Sequence, residues 1–270
     1  MRPIRFYSVI MGERFQKQSY YSTLSIIKKN PGISYTIVFV DTNPNEDYRK
    51  LAAEGKLIIL LDSLNKYNPP KSKVVYQLFW YRYAIVPGLL GGGFLCHLDT
   101  DLICVSPFPD KEIVETRINA TIDGPVESNG EMLKTLSSNN WWVPVTKRSL
   151  YINAGLMAWD HSIYGWVFEE FDRLIREDSE RGVFDDAPFG DQPYINSILN
   201  SSGKANEYVN LLPSKWNLGV WTHSMVGNVG DVIAVKKAVN LHVFGAAGKE
   251  RVPIMKDLYS LYVDQTEKVL

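Results

Sequence analysis

Residues 94–105 read FLCHLDTDLICV, an apolar run broken by two aspartates, Asp99 and Asp101, directly after the triple glycine at 91–93. In an extended strand the side chains alternate faces, so Asp99 and Asp101 are expected on one side with Thr100 opposite. Two hard oxygen donors then aim at one point. Carboxylates that close repel each other unless a cation lies between them, and an octahedral oxygen site suits Mg²⁺ or Mn²⁺ better than zinc. The plainer alternative is a strand-end pair that caps a turn, and a motif this short admits both readings.

On either side of this motif the hydrophobic pattern alternates between strand and helix. Residues 4–10 read as a first strand, and a helix follows from about residue 19, with Leu24 and Ile27 at helical spacing, until Asn30-Pro31-Gly32 ends it. Residues 35–40 (YTIVFV) form a continuous apolar strand closing on Asp41. Residues 46–54 suggest a helix stopped by Gly55, and 57–61 a third strand. Strand, helix, strand, helix, strand is the order of a parallel sheet with helices on its faces. The apolar and aromatic stretch 74–85 reads as a helix stopped by Pro87-Gly88, which delivers the chain into the aspartate strand. Ligands of such sheets bind beyond the carboxyl ends of the strands, where Asp99 and Asp101 fall. Residues 107–149 are less periodic and read as an excursion over the active face. After them come a strand at 156–159, a helix at 164–177, a second helix opening near Gln192, strands at 208–212 and 239–243, and a closing helix from Ile254. With no internal repeat or linker, a single α/β domain over 1–270 is expected, a mostly parallel mixed sheet flanked by helices.

Composition narrows the partners. Lys and Arg number 29 against 30 Asp and Glu, a formal net charge of -1, so no global field would gather nucleic acid or anionic lipid. Hydrophobic residues make up 45% of the chain, ample for a sizeable core. Cys96 and Cys104 lie too far apart on one extended segment to meet, so a disulfide is not expected and a reducing compartment fits. The first residues lack the pattern of a signal peptide, and no stretch approaches the ~18 apolar residues needed to span a bilayer. A cytoplasmic protein is expected, in peripheral contact at most with the inner face of a membrane.

Further elements follow in a fixed order: Arg82-Tyr83 before the aspartate strand; Asn153-Ala154-Gly155 before an apolar strand; Asp191-Gln192 opening a helix; Leu212-Pro213 before Trp216-Asn217; and His242-Val243-Phe244-Gly245 leading to Lys249. Together with the LDTD core, this series resembles glycosyltransferase family 8, retaining enzymes that include bacterial lipopolysaccharide galactosyl- and glucosyltransferases and glycogenin. The resemblance runs from the first strand to about Arg251.

The resemblance implies a GT-A fold, a UDP-sugar donor carrying glucose or galactose, a saccharide or glycolipid acceptor, and a bound Mn²⁺ or Mg²⁺ held by Asp99, Asp101 and His242. It also implies donor contacts from Arg82, Asp99, Thr100, Gly245 and Lys249, with the backbone of Val9 and Ile10 and the ring of Phe15 near the base. Asn153, Asp191 and Gln192 match residues of the family beside the donor sugar and its reacting face. Asp191 is the carboxylate there able to form a covalent intermediate if a double displacement operates. The plainer reading of Asp191 is a helix cap, and both roles are compatible. His97 shares a face with the aspartates by alternation but reads as buried packing. Trp141-Trp142 reads either as core cover or as a stacking surface for an acceptor sugar.

The chain departs from the family pattern in two places. The segment Ile10-Met11-Gly12-Glu13-Arg14-Phe15 is less polar than its counterparts, and the spacing from His242 to Lys249 is one residue longer, with Glu250-Arg251 where Pro-Trp is usual. A sugar-phosphate nucleotidyltransferase would need a glycine-rich loop after the first strand, which SVIMGERF lacks. A self-glycosylating primer protein or a catalytically silent sugar-nucleotide binder remain as rival readings.

Overall fold

The computed structural model describes residues 3–123, 150–184, 190–220, 237–243 and 251–264. In chain order its main elements are β1 (Arg5–Met11), α1 (Glu13–Lys29), β2 (Ser34–Val40), α2 (Glu46–Ala53), β3 (Ile58–Asp62), α3 (Val74–Ala84), β4 (Phe94–Leu98), β5 (Leu102–Cys104), β6 (Ile118–Ile122), β7 (Ile152–Asp160), α4 (His161–Glu180), α5 (Gln192–Ser201), β8 (Val209–Leu212), β9 (Leu218–Gly219), β10 (Asn240–His242) and α6 (Arg251–Tyr262). The class is α/β with a mostly parallel mixed sheet flanked by helices, as the alternation of strand and helix patterns predicts. By contacts the chain divides into two compact units, each described in turn.

One unit comprises residues 5–62, 98–110 and 213–270. Strands β1, β2 and β3 are parallel, with Ile10 opposite Phe39 and Val38 opposite Leu60. Every residue of β1 after Arg5 and of β2 after Ser34 is buried, which explains their unbroken apolar reading: both faces are covered. Helix α1 begins at Glu13, about a turn and a half earlier than its hydrophobic spacing suggests. Its first turns bury Gln16, Gln18 and Ser19, polar side chains that hide the periodicity. They are satisfied internally: Gln16 donates to Asn43 O at 2.8 Å, and Ser19 Oγ meets Phe15 O at 2.7 Å and the Tyr48 hydroxyl at 2.6 Å. Gly12 starts the helix at φ 80°, a conformation open to glycine without strain.

A second, small sheet of the same unit runs β5-β10-β9, with β10 antiparallel to β5 and parallel to β9. Ile103, Leu241 and Val243 pack there with Ile254, Met255 and Leu258 of α6, all fully buried. Burying such side chains is worth roughly 1.5–3 kcal/mol each, enough to fix α6 on this sheet.

The other unit holds residues 63–97 and 111–212. Its strands run in the order β4-β7-β6-β8, with β6 antiparallel to β7 and parallel to β8. All nine residues of β7 are buried. This strand begins at Ile152, earlier than its apolar core at 156–159 suggests, so Asn153 lies within it. Strand β6 falls in the stretch read as an excursion, of which residues 124–149 lie outside the described residues. An aromatic cluster joins α3, β7 and α4: Tyr83 stacks on Phe168 at 5.6 Å, and Trp159 lies tilted against Phe168 at 4.5 Å between centroids. His97 belongs to this packing. It is 1% exposed, and its Nδ1 lies 3.1 Å from the Tyr83 hydroxyl, which itself donates to Ala154 O.

Cys96 and Cys104 are buried free thiols. Among the described residues no helix is long and apolar enough to cross a membrane.

Candidate functional site

The two aspartates do not sit on a strand. Strand β4 ends at Leu98 and β5 starts at Leu102, so Asp99, Thr100 and Asp101 form the turn between them, and simple alternation does not aim their carboxylates. The turn does so instead. Leu98 O accepts from Ser8 Oγ at 2.6 Å, and Asp101 O accepts from Val243 N at 2.9 Å, so the turn is tied at both ends. The register of β10 against β5 places His242 opposite Leu102, one residue from Asp101. His242 Nε2 lies 3.1 Å from Asp101 Oδ1 and 3.8 Å from Asp99 Oδ2.

Among the described residues, Asp99, Asp101 and His242 form the one group of three such side chains whose ligand atoms all lie within 4.8 Å of one another. An octahedral ion with bonds of about 2.1 Å sets neighbouring ligand atoms about 3 Å apart and opposite ones about 4.2 Å apart. The separations of 3.1 and 3.8 Å lie in that range, and two carboxylates with one imidazole are an acceptable donor set for Mn²⁺ or Mg²⁺. Burial alone would push the Asp101 carboxyl up. The charge and hydrogen bond of His242 and the charge of Arg251 outweigh it and hold the group below the usual carboxylate range.

Arg251 is a contributor that the sequence did not reveal. Its Nη1 sits 3.0 Å from Asp101 Oδ2. The available signal was its place in the departure from the family pattern, where a cation replaces an apolar residue. Thr100 Oγ1 lies 3.4 Å from Gln18 Nε2. Val9 and Ile10 point their side chains into the core, leaving only backbone for a ligand, and Phe15 is half-buried beneath Arg14, whose guanidinium carbon lies 5.5 Å from the ring centre. Gly245, Lys249, Trp141 and Trp142 lie outside the described residues.

The other unit carries a buried polar network that gathers Arg82, Asn153, Asp191 and Gln192. Asp191 stands at the N-cap of α5, yet its side chain makes no capping bond. It turns to Arg82, whose Nε donates to Oδ2 at 2.6 Å and whose Nη2 contacts the same oxygen. Asp191 is 1% and Arg82 8% exposed. A fully buried carboxylate keeps its charge only against such a partner.

Asn153 and Gln192 are joined through a residue the sequence reading left out, Asp123. Its Oδ1 accepts from Asn153 Nδ2 at 3.0 Å and its Oδ2 from Gln192 Nε2 at 2.8 Å. The two amides are also held at their oxygens, Asn153 Oδ1 by Gly155 N at 2.8 Å and Gln192 Oε1 by Ala154 N at 3.1 Å. Each amide is therefore fixed in one orientation by a donor on one side and an acceptor on the other. Asp123 follows directly on β6, as Asp99 follows on β4 and Asp41 on β2. That strand-end position was the signal that could have found it.

No protein-family model matches the sequence, and no curated protein matches it. Solved structures do. The bifunctional glycosyltransferase WbbM superposes with a TM-score of 0.66 at 13% identity over 98% of this chain, which spans 51% of that protein. The galactosyltransferase LgtC, in complex with donor and acceptor sugar analogs, gives a TM-score of 0.61 at 11% identity over 98% of this chain and 100% of that one.

The chain has the GT-A fold.

Mouse xyloside xylosyltransferase 1, in its apo form, is also similar to this GT-A chain, with a TM-score of 0.53 at 12% identity over 90% of the chain and 98% of that protein. All three of these neighbours are glycosyltransferases by name.

Proposed function

We propose that this chain is a metal-dependent, retaining hexosyltransferase that moves glucose or galactose from a UDP-sugar to a hydroxyl of a saccharide or glycolipid acceptor, with 1–270 acting as one catalytic domain. One observation carries the reading: two carboxylates and an imidazole, 141 positions apart between Asp101 and His242, converge within 4.8 Å on a GT-A fold. Asp99, Asp101 and His242 would hold Mn²⁺ or Mg²⁺. When bound, that ion supplies Lewis acidity to the oxygens of the departing diphosphate.

The chain's own residues do the rest. Asp101 stays ionised because His242 and Arg251 favour its charged form. Thr100, the backbone of Val9 and Ile10, and Phe15 are assigned to the nucleoside, and Gly245 and Lys249 to the phosphates. Asn153 and Gln192, pinned by Asp123, present fixed amide groups to the donor sugar, preorganised polar groups of the kind that stabilise developing charge without reorganising. Asp191, ion-paired with Arg82, is the carboxylate available to stabilise positive charge at the sugar carbon or to attack it.

A panel of nucleotide sugars, followed by thermal shift and by UDP release with and without Mn²⁺, tests this. A metal-dependent response to UDP-glucose or UDP-galactose is expected. A flat response across the whole panel would remove the assignment.

A further inference from the structure

Asp101 has both of its carboxylate oxygens occupied, Oδ1 by His242 Nε2 at 3.1 Å and Oδ2 by Arg251 Nη1 at 3.0 Å. The second contact is the unexpected one. A guanidinium offers five donors in a rigid fork that matches a carboxylate or phosphate with two parallel bonds. Here a single nitrogen engages the carboxylate, and among the described residues the buried Nε of Arg251 has no hydrogen-bond partner. Arg251 opens helix α6, whose Ile254, Met255 and Leu258 are locked into the core with Leu241 and Val243, on either side of His242. The backbone of Arg251 is thus held beside the cluster, while its side chain is 25% exposed.

We propose that Arg251 is a built-in counter-ion of this cluster that competes with the divalent cation for Asp101, and that once displaced it turns its fork to the diphosphate brought in with the cation. The inference rests on the cation-site reading above and adds a residue and an order of exchange to it. Charge accounting gives it a sign. Asp99, Asp101 and Arg251 together carry one net negative charge, so a divalent ion leaves one net positive charge for a doubly negative sugar-nucleotide diphosphate to offset. Without Arg251 the cluster begins with two negative charges, attracts the cation more strongly, and ends neutral, with less attraction for the diphosphate.

Removing the guanidinium therefore moves two affinities in opposite directions, which a merely structural role would not do. Mn²⁺ binding without nucleotide, read from the paramagnetic resonance signal of the free ion, is expected to be about tenfold tighter in Arg251→Gln than in the unmodified protein. UDP binding at saturating Mn²⁺, read by calorimetry, is expected to be about tenfold weaker. Arg251→Lys, which keeps the charge and loses the fork, should leave Mn²⁺ affinity near that of the unmodified protein while still weakening UDP. Unfolding curves of each variant establish that it is folded. Unchanged or weaker Mn²⁺ binding in Arg251→Gln, or unchanged UDP binding, would overturn the proposal. If the unmodified protein binds Mn²⁺, Asp101→Asn abolishes that binding and Arg251→Gln leaves it unaltered, only the role of Arg251 fails. If no variant binds Mn²⁺ at all, the cation-site reading falls and takes this inference with it.

Discussion

Arg82 and Asp191, 109 positions apart in sequence, form a buried ion pair in which Nε donates to Oδ2 at 2.6 Å. Neither side chain has enough exposure for water to replace its partner, so removing one leaves the other as an uncompensated charge. Arg82→Met is expected to lower stability by about 3–5 kcal/mol, measured as a shift in the urea midpoint at constant slope. Arg82→Met combined with Asp191→Leu should recover most of that loss, because the stranded charge is gone. Equal losses in the single and double variants would show that packing, not charge, holds this site.

Asp123 accepts from two amides at once, and both amides are held in orientation at their other ends. Asp123→Asn replaces one accepting oxygen with a donor, so an N–H must face an N–H at one of the two contacts. A cost of about 1–3 kcal/mol is expected from the lost bond, together with a fall in kcat larger than any rise in KM, since the displaced amide is assigned to the donor sugar. Unchanged turnover with reduced stability would confine Asp123 to a structural role.

Gly190 precedes Asp191 at φ +65, and a Cβ built there would meet the Phe79 ring at 2.2 Å. The guanidinium of Arg82 lies against that same ring, 5.1 Å from its centre. Gly190→Ala meets both a left-handed backbone, which disfavours a side chain by roughly 1–2 kcal/mol, and a clash with the Phe79 ring that packs against Arg82. Thermal unfolding should fall by several degrees. A variant as stable as the parent would show that the turn relaxes freely.

Burial pushes the Cys104 thiol up to about 12 from an ordinary 9.0, and burial likewise raises Cys96. In the unfolded chain these thiols ionise first. Their contribution to stability is thus complete below about pH 9 and is lost as pH rises from there toward 12. Denaturation midpoints should decline over that window. Both thiols should resist alkylation at pH 8 in the native protein and react in denaturant; rapid labelling of the folded chain would contradict this burial.

The sequence disclosed the strands with continuous apolar runs, such as β2, because both faces are covered and no polar residue interrupts them. It placed α1 too late because Gln16, Gln18 and Ser19 are buried polar residues, and their partners come from distant positions that periodicity cannot see. The aspartate pair was legible as a motif, but alternation along a strand was the wrong reason for its convergence: Asp99 and Asp101 lie on a turn, and the β10–β5 register brings His242 to them. Asp123 and Arg251 were missed for a common reason. Each acts through a partner, Asn153 and Gln192 for one and Asp101 for the other, that only folding makes a neighbour.

The cation site itself is tested most directly by diffraction from crystals grown with Mn²⁺ and UDP, recorded at a wavelength where manganese scatters anomalously. The account predicts one strong anomalous peak about 2.2 Å from an oxygen of Asp99, an oxygen of Asp101 and Nε2 of His242, with UDP phosphate oxygens completing its coordination. A peak bound elsewhere, or none while UDP is clearly present and these three side chains remain unliganded, would contradict it.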